Sequence, residues 1–544
     1  MAAANITNPS LLFLASLILT ILASPGLSAE ERAPSTWTIY VNNKTGSDES
    51  DGRTEQPSGA GKSGPVATIA QALKLVPVSG RVSLANTGED YRESVIVKCL
   101  AKGRAKAPLV IDGNGATVTG LARAAPVRWT HVRDDIYSFA NRVGGVEYTP
   151  KSTYNGAEIR IGDSVYGHMP NFNWMSQWRG KGWPTERQAP EIFFLNGKPG
   201  PNVSALADLP PGGFFYDHSA KPRCLYFRLP PGAKIEDCAI DLPLNGGVNV
   251  LVDDDYVVVR NLAATYSLDD GFAGFWGIGV VFENCNGSYN CDQGISLHGT
   301  SVTIIDGGIY ERNGGCGIAD VMSSFTIYRN VVIRDNLICG ALLQGLGHSL
   351  MNCRIYGNFS PQVNADGDGL VSITNCFVAG SLEAGAGAHV GVGTVDPDGG
   401  IGIQMLRGRI DHCTIVNCAQ GVVAKDKASI GNAIIANCAK ALVDIRPAAA
   451  AAFQLRKTIL HNGPVVVGGQ TVSQAGWPEF AKTATWAEGN IWADPQTKAP
   501  SYALPEGSPY LTFGAYGRAS GALLPPNPAG WGADERETFV RPPP

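Results

Sequence analysis

A repeat of about 23 residues constrains the fold more than any other feature of this chain. Between Tyr256 and Gly369 the segments align so that one column recurs at steps of 23, 23, 23, 22 and 23 residues: Asn261, Asn284, Gly307, Asn330, Asn352 and Asn375. A second column holds Asn290, Asn313, Asn336 and Asn358, and a third holds Gly271, Gly294, Gly317 and Gly340. Such self-similarity is typical of a solenoid, in which each repeat is one coil stacked on the last.

The residues within each repeat indicate strands and corners. Short runs with alternating Val, Ile, Phe or Tyr are separated by Asn, Gly or Asp, and no apolar spacing in the repeats is long enough for a helix. Asn and Gly tolerate the left-handed backbone of a tight corner, and stacked Asn side chains can hydrogen-bond along a ladder. The sequence therefore predicts an all-β protein folded as a right-handed parallel β-helix.

The remaining segments divide the chain into five predicted parts. An apolar run from Leu11 to Ala23 is too short to span a bilayer and precedes a small-residue site ending at Ala29, which predicts a secretory signal peptide. Residues 67–76 have helical periodicity and suit a cap over the first coil. The predicted parts are 1–29, the signal; 30–128, the N-terminal cap and first coils; 129–245, an inserted β-rich module; 246–470, the main repeats; and 471–544, a closing segment and tail.

The composition limits the kinds of partner and the cellular location that we expect. A net charge of −5 gives no indication of nucleic-acid binding, and after signal cleavage we expect a monomer that is secreted, periplasmic or on the cell surface, with no membrane segment.

One column of the repeat holds four cysteines, Cys285, Cys353, Cys376 and Cys413, which favours a role as small buried apolar residues. Adjacent coils still bring positions within bonding range, so a Cys353–Cys376 or Cys418–Cys438 bridge remains an alternative. No Cys or His spacing fits zinc.

The N-terminal segment carries a family resemblance. The stretch YVNNKTGSDESDGRTEQP, the helix VATIAQALKLV and the strand EDYRESVIV resemble the start of exported right-handed β-helix proteins of the pectate-lyase-like superfamily. The segment from about 129 to 244 resembles a β-rich module inserted in many carbohydrate-active members. The resemblance implies a carbohydrate partner, a polysaccharide or oligosaccharide, and leaves the reaction open. Trp174 and Trp178 in the module would suit stacking on sugar rings.

The columns sort charged residues into scaffold and site candidates. Arg260, Glu283, Asp306 and Arg329 share one column, which predicts a solvated charge ladder on one face. A different group gathers at the corner of the second Asn column: Asp269, Asp270, Asp292, His298, Asp320 and Gln344. Asp269 and Asp292 occupy equivalent positions, so we expect them on neighbouring coils. His298 departs from a column that otherwise holds Phe275, Val321 and Gln344.

Paired carboxylates on adjacent coils can serve glycoside hydrolysis. That reaction needs an acid and a base or nucleophile on either side of the bond, and mutual repulsion raises one pKa to provide the acid. We predict Asp292 with Asp269 or Asp270 as the catalytic pair, His298 as a sugar-binding or proton-relay group, and no cofactor. Substrate-binding candidates are Trp174, Trp178, Arg312, Asp320 and Gln344. The alternative is a purely structural role, in which an Asp before Gly only caps a turn.

Two other functions stay open at this point. A polysaccharide lyase acting by β-elimination on a uronic-acid polymer needs a Lys, Arg, Tyr or His base and Ca²⁺ or Arg to neutralise the carboxylate. Tyr289, Arg312 and His298 could contribute, but the acidic chain has no evident Lys/Arg-lined face for a polyanion. The third alternative is a non-catalytic carbohydrate-binding or surface solenoid.

Overall fold

The structure is a computed structural model that describes residues 37–58, 62–124, 129–140, 193–201, 203, 205–217, 224–243, 248–267, 269–380, 400–450, 452–498, 504–514 and 519–522. It also gives the backbone of four short strands, Arg142–Val143, Val146–Glu147, Ala157–Ile161 and Ser164–Met169. The predicted signal peptide, Trp174 and Trp178 lie outside the described residues.

Three parallel sheets run the length of the molecule, and each coil contributes one strand to each sheet in turn. Two long strands, Leu109–Thr119 and Val257–Thr265, continue from sheet 1 into sheet 2. The other strands of sheet 1 are Thr38–Val41, Arg81–Leu84, Ile278–Glu283, Val302–Asp306, Phe325–Arg329, Gly347–Met351, Leu370–Thr374, Gly408–Asp411, Ala428–Gly431, Gln454–Arg456 and Ala487–Glu488.

Sheets 2 and 3 complete each coil. Sheet 2 adds Asn286–Ser288, Ile309–Glu311, Val332–Arg334, Arg354–Tyr356, Phe377–Ala379, Thr414–Val416, Ile434–Ala436, Ile459–His461 and Ile491–Trp492. Sheet 3 consists of Val95–Lys98, Val250–Asp253, Phe272–Gly274, Ile295–Leu297, Ile318–Asp320, Ala341–Leu343, Val363–Ala365, Ile401–Met405, Gln420–Ala424, Ala441–Ile445 and Val465–Val467, and an antiparallel last strand, Gln470–Val472.

Alternation along each strand places one set of side chains inside the coil. In Phe325–Arg329, Thr326 and Tyr328 are buried while the residues between them face outward, as a two-residue period requires. The inward residues of successive coils stack into one continuous apolar core that extends from Ile39 to Trp477. This stacking confirms the predicted all-β solenoid.

Two Asn columns hold the coils in register at their corners. The outer column has left-handed backbone, with φ of 51° at Asn261 and 53° at Asn375, which Asn adopts more readily than other non-glycine residues. The inner column is buried and forms a ladder, in which the backbone N–H of Asn290 and its Nδ2 both donate to Oδ1 of Asn313 at 3.0 Å. Asn313 donates in the same way to Asn336.

The charge ladder lies where the sequence places it. Arg260 pairs in register with Glu283, Glu283 with Asp306, and Asp306 with Arg329. Arg329 Nη2 lies 2.7 Å from Asp306 Oδ2, and both side chains are more than a quarter exposed. Pairs of this kind contribute little to stability, so these residues belong to the scaffold.

Two further units flank the solenoid. A helix, Ile69–Leu75, buries Ile69, Ala72 and Leu73 against the first coils; its role as an end cap stays a prediction. A second core, which includes the buried aromatics Trp129, Phe193 and Phe227, supports two four-stranded sheets. These sheets are formed by Leu121–Arg123, Phe194–Leu195, Lys198–Pro199 and Ile240–Pro243, and by Thr130–Arg133, Ile136–Ala140, Phe214–Asp217 and Cys224–Arg228.

The segment after the last coil folds back on sheet 2. It contains the helix Trp477–Thr483 and the short 3₁₀ turn Pro509–Thr512, and two more 3₁₀ turns, Leu206–Asp208 and Ile235–Asp237, lie in the inserted region. Leu504, Tyr510 and Phe513 pack against the outward apolar face of sheet 2. The predicted division of the chain into five parts stays a prediction.

The recurring glycines predict a steric effect on stability. In Gly317→Ala the added Cβ would collide with Ile333 Cγ2 and lie 2.7 Å from Asn336 Nδ2, so we expect overpacking to lower the free energy of unfolding by about 1–3 kcal/mol. The control, Gly431→Ala, meets no atom closer than 3.2 Å and should stay within about 0.5 kcal/mol of wild type. Thermal unfolding followed by circular dichroism compares the two, and equal losses would contradict the steric argument.

Candidate functional site

The candidate site lies at the corner where the chain passes from sheet 2 to sheet 3. Asp269 and Asp270 precede the strand Phe272–Gly274, and Asp292 precedes the strand of the next coil. The backbone N–H of Asp292 donates to the carbonyl of Asp269 at 3.0 Å, so the two residues occupy the same position in adjacent coils, as the repeat predicts. One carboxylate oxygen from each of Asp269, Asp270 and Asp292 lies within 4.8 Å of the others. We call these three residues the acidic cluster.

The acidic cluster is largely withdrawn from solvent. Asp270 is 6% exposed and Asp292 9% exposed. Burial, together with the charges of Asp269 and Asp292, raises the pKa of Asp270 well above its ordinary value. Burial and the charge of Asp269 likewise raise the pKa of Asp292. Because neighbouring carboxylates in low dielectric resist ionising together, the cluster holds protons at pH values where a solvated Asp has lost them.

The two buried carboxyl groups differ in their hydrogen bonds. Oδ1 of Asp270 accepts the backbone N–H of Gln293 at 3.1 Å, and the neighbouring Ser296 hydroxyl group lowers the pKa of this carboxyl group slightly against the larger effect of burial. The carboxyl group of Asp292 has no hydrogen bond within the described residues. Asp270 is therefore held in place by the next coil, whereas Asp292 keeps its oxygens available.

His298 is connected to the acidic cluster through a residue that the repeat analysis missed. Ser296 Oγ lies 2.7 Å from His298 Nε2 and also neighbours the carboxyl group of Asp270. Both side chains point outward from sheet 3, because residues two apart on a strand share a face. That alternation is the signal that could have found Ser296 in the sequence.

The His298 ring is fixed and largely neutral. It stacks on Phe275 of the preceding coil, with ring centroids 4.8 Å apart and planes at 14°. Burial lowers the pKa of His298, and the charges of Asp320 and Asp253 oppose that effect only in part. Ser296 is the only hydrogen-bond partner of this side chain among the described residues, so Nδ1 remains available to a ligand.

The predicted substrate-binding residues divide between two surfaces. Gln344 is exposed in the same outward column of sheet 3 as His298. Arg312 lies on the opposite side of the corner, where its guanidinium donates to Tyr289 Oη and faces that ring. Tyr289 in turn stacks on Tyr266 at 5.4 Å.

Asp320 is a correction to the predicted substrate-binding set. Its side chain points into the coil and is fully buried, in the inward position that Leu297 and Leu343 occupy in the coils on either side. Its carboxylate accepts hydrogen bonds from Thr326 Oγ1 at 2.6 Å and Tyr328 Oη at 2.9 Å. Asp320 therefore serves an internal polar network and does not reach the outer face.

The acidic cluster also has the donor set for a cation. Ca²⁺ takes six to eight oxygen ligands, including carboxylates and waters, and the spacing of the three carboxylate oxygens permits them to share one ion. The unbonded Asp292 carboxyl group fits this use. Asp366 and Asp368, in the segment NADGDG, form a second acidic group. It fits a cation less well, because Lys425 Nζ lies 2.7 Å from Asp366 Oδ2.

Comparison with known proteins agrees with the fold. Residues 275–471 match the family model described as a right handed beta helix region. This match and the coil architecture confirm the predicted fold, a right-handed parallel β-helix. The comparison with curated proteins gave no match. In the part of the chain that the structure describes, no helix has the length and apolar character needed to cross a bilayer.

Three solved structures are similar at 10% sequence identity. A complex of XylC with xylose has a TM-score of 0.46, over 84% of this chain and 87% of that chain. A glycoside hydrolase has a TM-score of 0.40, over 84% and 96%. Pectate lyase Pel9A has a TM-score of 0.36, over 92% of each chain.

The pKa shifts predict opposite pH responses for two buried aspartates. The raised pKa of Asp270 means that the folded state binds its proton more tightly than the unfolded state does. Its contribution to stability is therefore present below the ordinary aspartate pKa of 3.8 and is lost as pH rises through the folded pKa. We therefore expect Asp270→Asn to gain thermal stability relative to wild type as the pH rises above about 4.

Asp112→Asn is the matched control. Burial raises the pKa of Asp112, but hydrogen bonds from Asn261 and Arg260 outweigh it and lower that pKa overall. The stabilising effect of Asp112 is present above the ordinary aspartate pKa of 3.8 and is lost as pH falls through the folded pKa. We therefore expect this variant to have a lower melting temperature than wild type at neutral pH and to approach the wild-type value in acid. Melting temperatures measured across pH in chelator-treated buffer give both curves. Parallel curves for Asp270→Asn and wild type would contradict the assignment.

Proposed function

We propose that the protein is an exported carbohydrate-active enzyme that hydrolyses glycosidic bonds of a polysaccharide. The observation that carries this proposal is the grouping of the Asp269, Asp270 and Asp292 oxygens within 4.8 Å at an outer corner of the β-helix. Glycosidases use two carboxyl groups about 5–5.5 Å apart when they retain configuration and about 6.5–9.5 Å apart when they invert it. The close spacing supports a retaining mechanism.

The environments of the three carboxyl groups suggest separate roles. Asp292 has a raised pKa and no hydrogen bond within the described residues, so it suits the general acid that protonates the leaving oxygen. Asp269 is the most exposed of the three and suits the nucleophile that forms the glycosyl-enzyme intermediate. Asp270 is held by the backbone N–H of Gln293, and the charges of Asp269 and Asp292 raise its pKa, so it suits a supporting role beside the other two.

Neighbouring outward residues suit recognition of the sugar. The neutral His298 ring offers Nδ1 to a sugar hydroxyl, and Ser296 and Phe275 fix the ring. Gln344 projects two coils further along the same face, about 10 Å away at the strand spacing of a sheet. Trp174 and Trp178 remain predicted stacking residues.

A polysaccharide lyase is the second candidate, and one observation favours it. The acidic cluster can share a cation, and Ca²⁺ bound there would neutralise the carboxylate of a uronic-acid unit. The lowered pKa of His298 leaves its imidazole free to accept the α proton as a base. In the hydrolase Asp292 donates the reacting proton, whereas in the lyase His298 accepts it.

A polysaccharide screen tests the proposal. Neutral and uronic-acid polymers are incubated with the wild-type protein, and new reducing ends and ultraviolet-absorbing unsaturated products are both measured. We expect reducing ends without unsaturation, and a loss of about 100- to 10,000-fold in kcat for Asp292→Asn. Glu283→Gln, on the charge ladder of sheet 1, is the matched control and should keep wild-type activity.

The other outcomes each point to a different function. Unsaturated products that vanish with a chelator and return with Ca²⁺ would support the lyase and overturn the hydrolase. Binding to a polymer without any product, unchanged in Asp292→Asn, would favour a non-catalytic solenoid. Melting temperatures of all variants show whether a lost activity reflects the site or the fold.

A further inference from the structure

Two cysteines face each other beside the candidate site. Cys316 and Cys339 occupy the same position in successive coils, each one glycine before the paired strands Ile318–Asp320 and Ala341–Leu343. Their Sγ atoms are 2.8 Å apart, and the residues are 3% and 2% exposed. Adjacent strands lie about 4.8 Å apart, and disulfides join Cα atoms about 4.4–6.8 Å apart. The backbone geometry therefore already fits a cross-coil bond.

The thiols of the other stacked cysteines also have partners in the backbone. Cys353 and Cys413 lie in the apolar core of the solenoid, and their Sγ atoms donate to backbone carbonyls, as from Cys413 to Asp411 at 3.3 Å. Cys418 and Cys438 likewise donate to the carbonyls two residues before them. Among the described residues, the thiols of Cys316 and Cys339 have only each other as hydrogen-bond partners. All twelve cysteines are free thiols in the structure.

We propose that Cys316 and Cys339 are the residues that form a disulfide bond when the chain folds in an oxidising environment. The oxidant is a small-molecule disulfide such as oxidised glutathione. One cysteine thiolate attacks it to give a mixed disulfide and one free thiol, and the second cysteine then displaces the other half. The two S–H bonds of the protein are replaced by one S–S bond, and the oxidant takes up the two electrons and two protons as two thiols.

Burial sets when this bond forms. Desolvation, together with the hydrogen bond to Cys316, raises the pKa of the Cys339 thiol, which suppresses the reactive thiolate in the folded state. The exchange is therefore fast while the coils assemble and slow once the corner is closed. The bond is independent of the reaction proposed for the acidic cluster.

The bond would stiffen the column that supports the acidic cluster. The backbone N–H of Cys316 donates to Gln293 Oε1 at 2.6 Å, and the backbone N–H of Gln293 donates to Asp270 Oδ1 at 3.1 Å. A covalent link between Cys316 and Cys339 would therefore restrain Gln293 and, through Gln293, Asp270.

Peptide mapping tests the bond directly. The protein is unfolded and refolded with oxidised and reduced glutathione, then denatured without further reductant, alkylated and digested with trypsin. We expect the peptides Asn313–Arg329 and Asp335–Arg354 to be joined, with a mass lower by two hydrogens than their sum, and Cys353 of the second peptide to be alkylated. Alkylation of both Cys316 and Cys339, or a bond from Cys353 to Cys376, would overturn the proposal.

A stability measurement gives a second readout. Dithiothreitol present during refolding should lower the melting temperature of the wild-type protein by on the order of 3 °C. The double variant Cys316→Ser/Cys339→Ser should show no such dependence. An equal response of both proteins to the reductant, or none in the wild type, would contradict the bond. If the double variant fails to fold, the peptide map of the wild-type protein still decides.

Discussion

The buried ladder of Asn side chains is the interaction on which the rest of this structure depends. Each rung satisfies polar groups that are completely enclosed, since Asn290, Asn313 and Asn358 have no exposed surface. A buried amide without a partner costs about 1–3 kcal/mol, so a shift of one coil by one residue would be penalised at every rung. The ladder therefore fixes the register of all coils that it joins. It ends at Gln362 on one side and at Ser267 on the other, and the acidic cluster begins two residues after Ser267.

The contrast among buried aspartates separates scaffold from candidate site. Asp112 is buried, but its Oδ2 lies 2.8 Å from Arg81 Nη2 and 2.7 Å from Arg260 Nε. Asp320 is buried, but its carboxylate accepts hydrogen bonds from Thr326 and Tyr328. Burial of a charged group is tolerable when it is paired or hydrogen-bonded. Asp292 has neither form of compensation within the described residues. The absence of protein partners for the Asp292 carboxyl group, rather than burial itself, distinguishes the acidic cluster, and such perturbed groups are typical of functional sites.

Repetition made the scaffold and part of the candidate site predictable from sequence. Residues at equivalent positions of successive coils lie side by side, because the backbones of the coils are hydrogen-bonded to each other. The repeat spacing therefore predicted that Asp269 lies beside Asp292 and Glu283 beside Asp306. Asp320 was misassigned, although its column holds Leu297 and Leu343, and the two-residue alternation from Ile318 directs it inward. The burial of Asp292 could not be predicted, because it depends on how corners of several coils pack.

The link through Ser296 determines what His298 can offer a ligand. A serine hydroxyl has one proton to donate and lone pairs to accept, and here it lies between Asp270 and His298 Nε2. When Asp270 is ionised, Ser296 donates to it, Nε2 carries the imidazole proton, and Nδ1 is an acceptor. When Asp270 is protonated, the direction of both hydrogen bonds can reverse, and Nδ1 then carries the proton as a donor. Through Ser296, the protonation of Asp270 can therefore bias the tautomer of a ring that the acidic cluster does not touch.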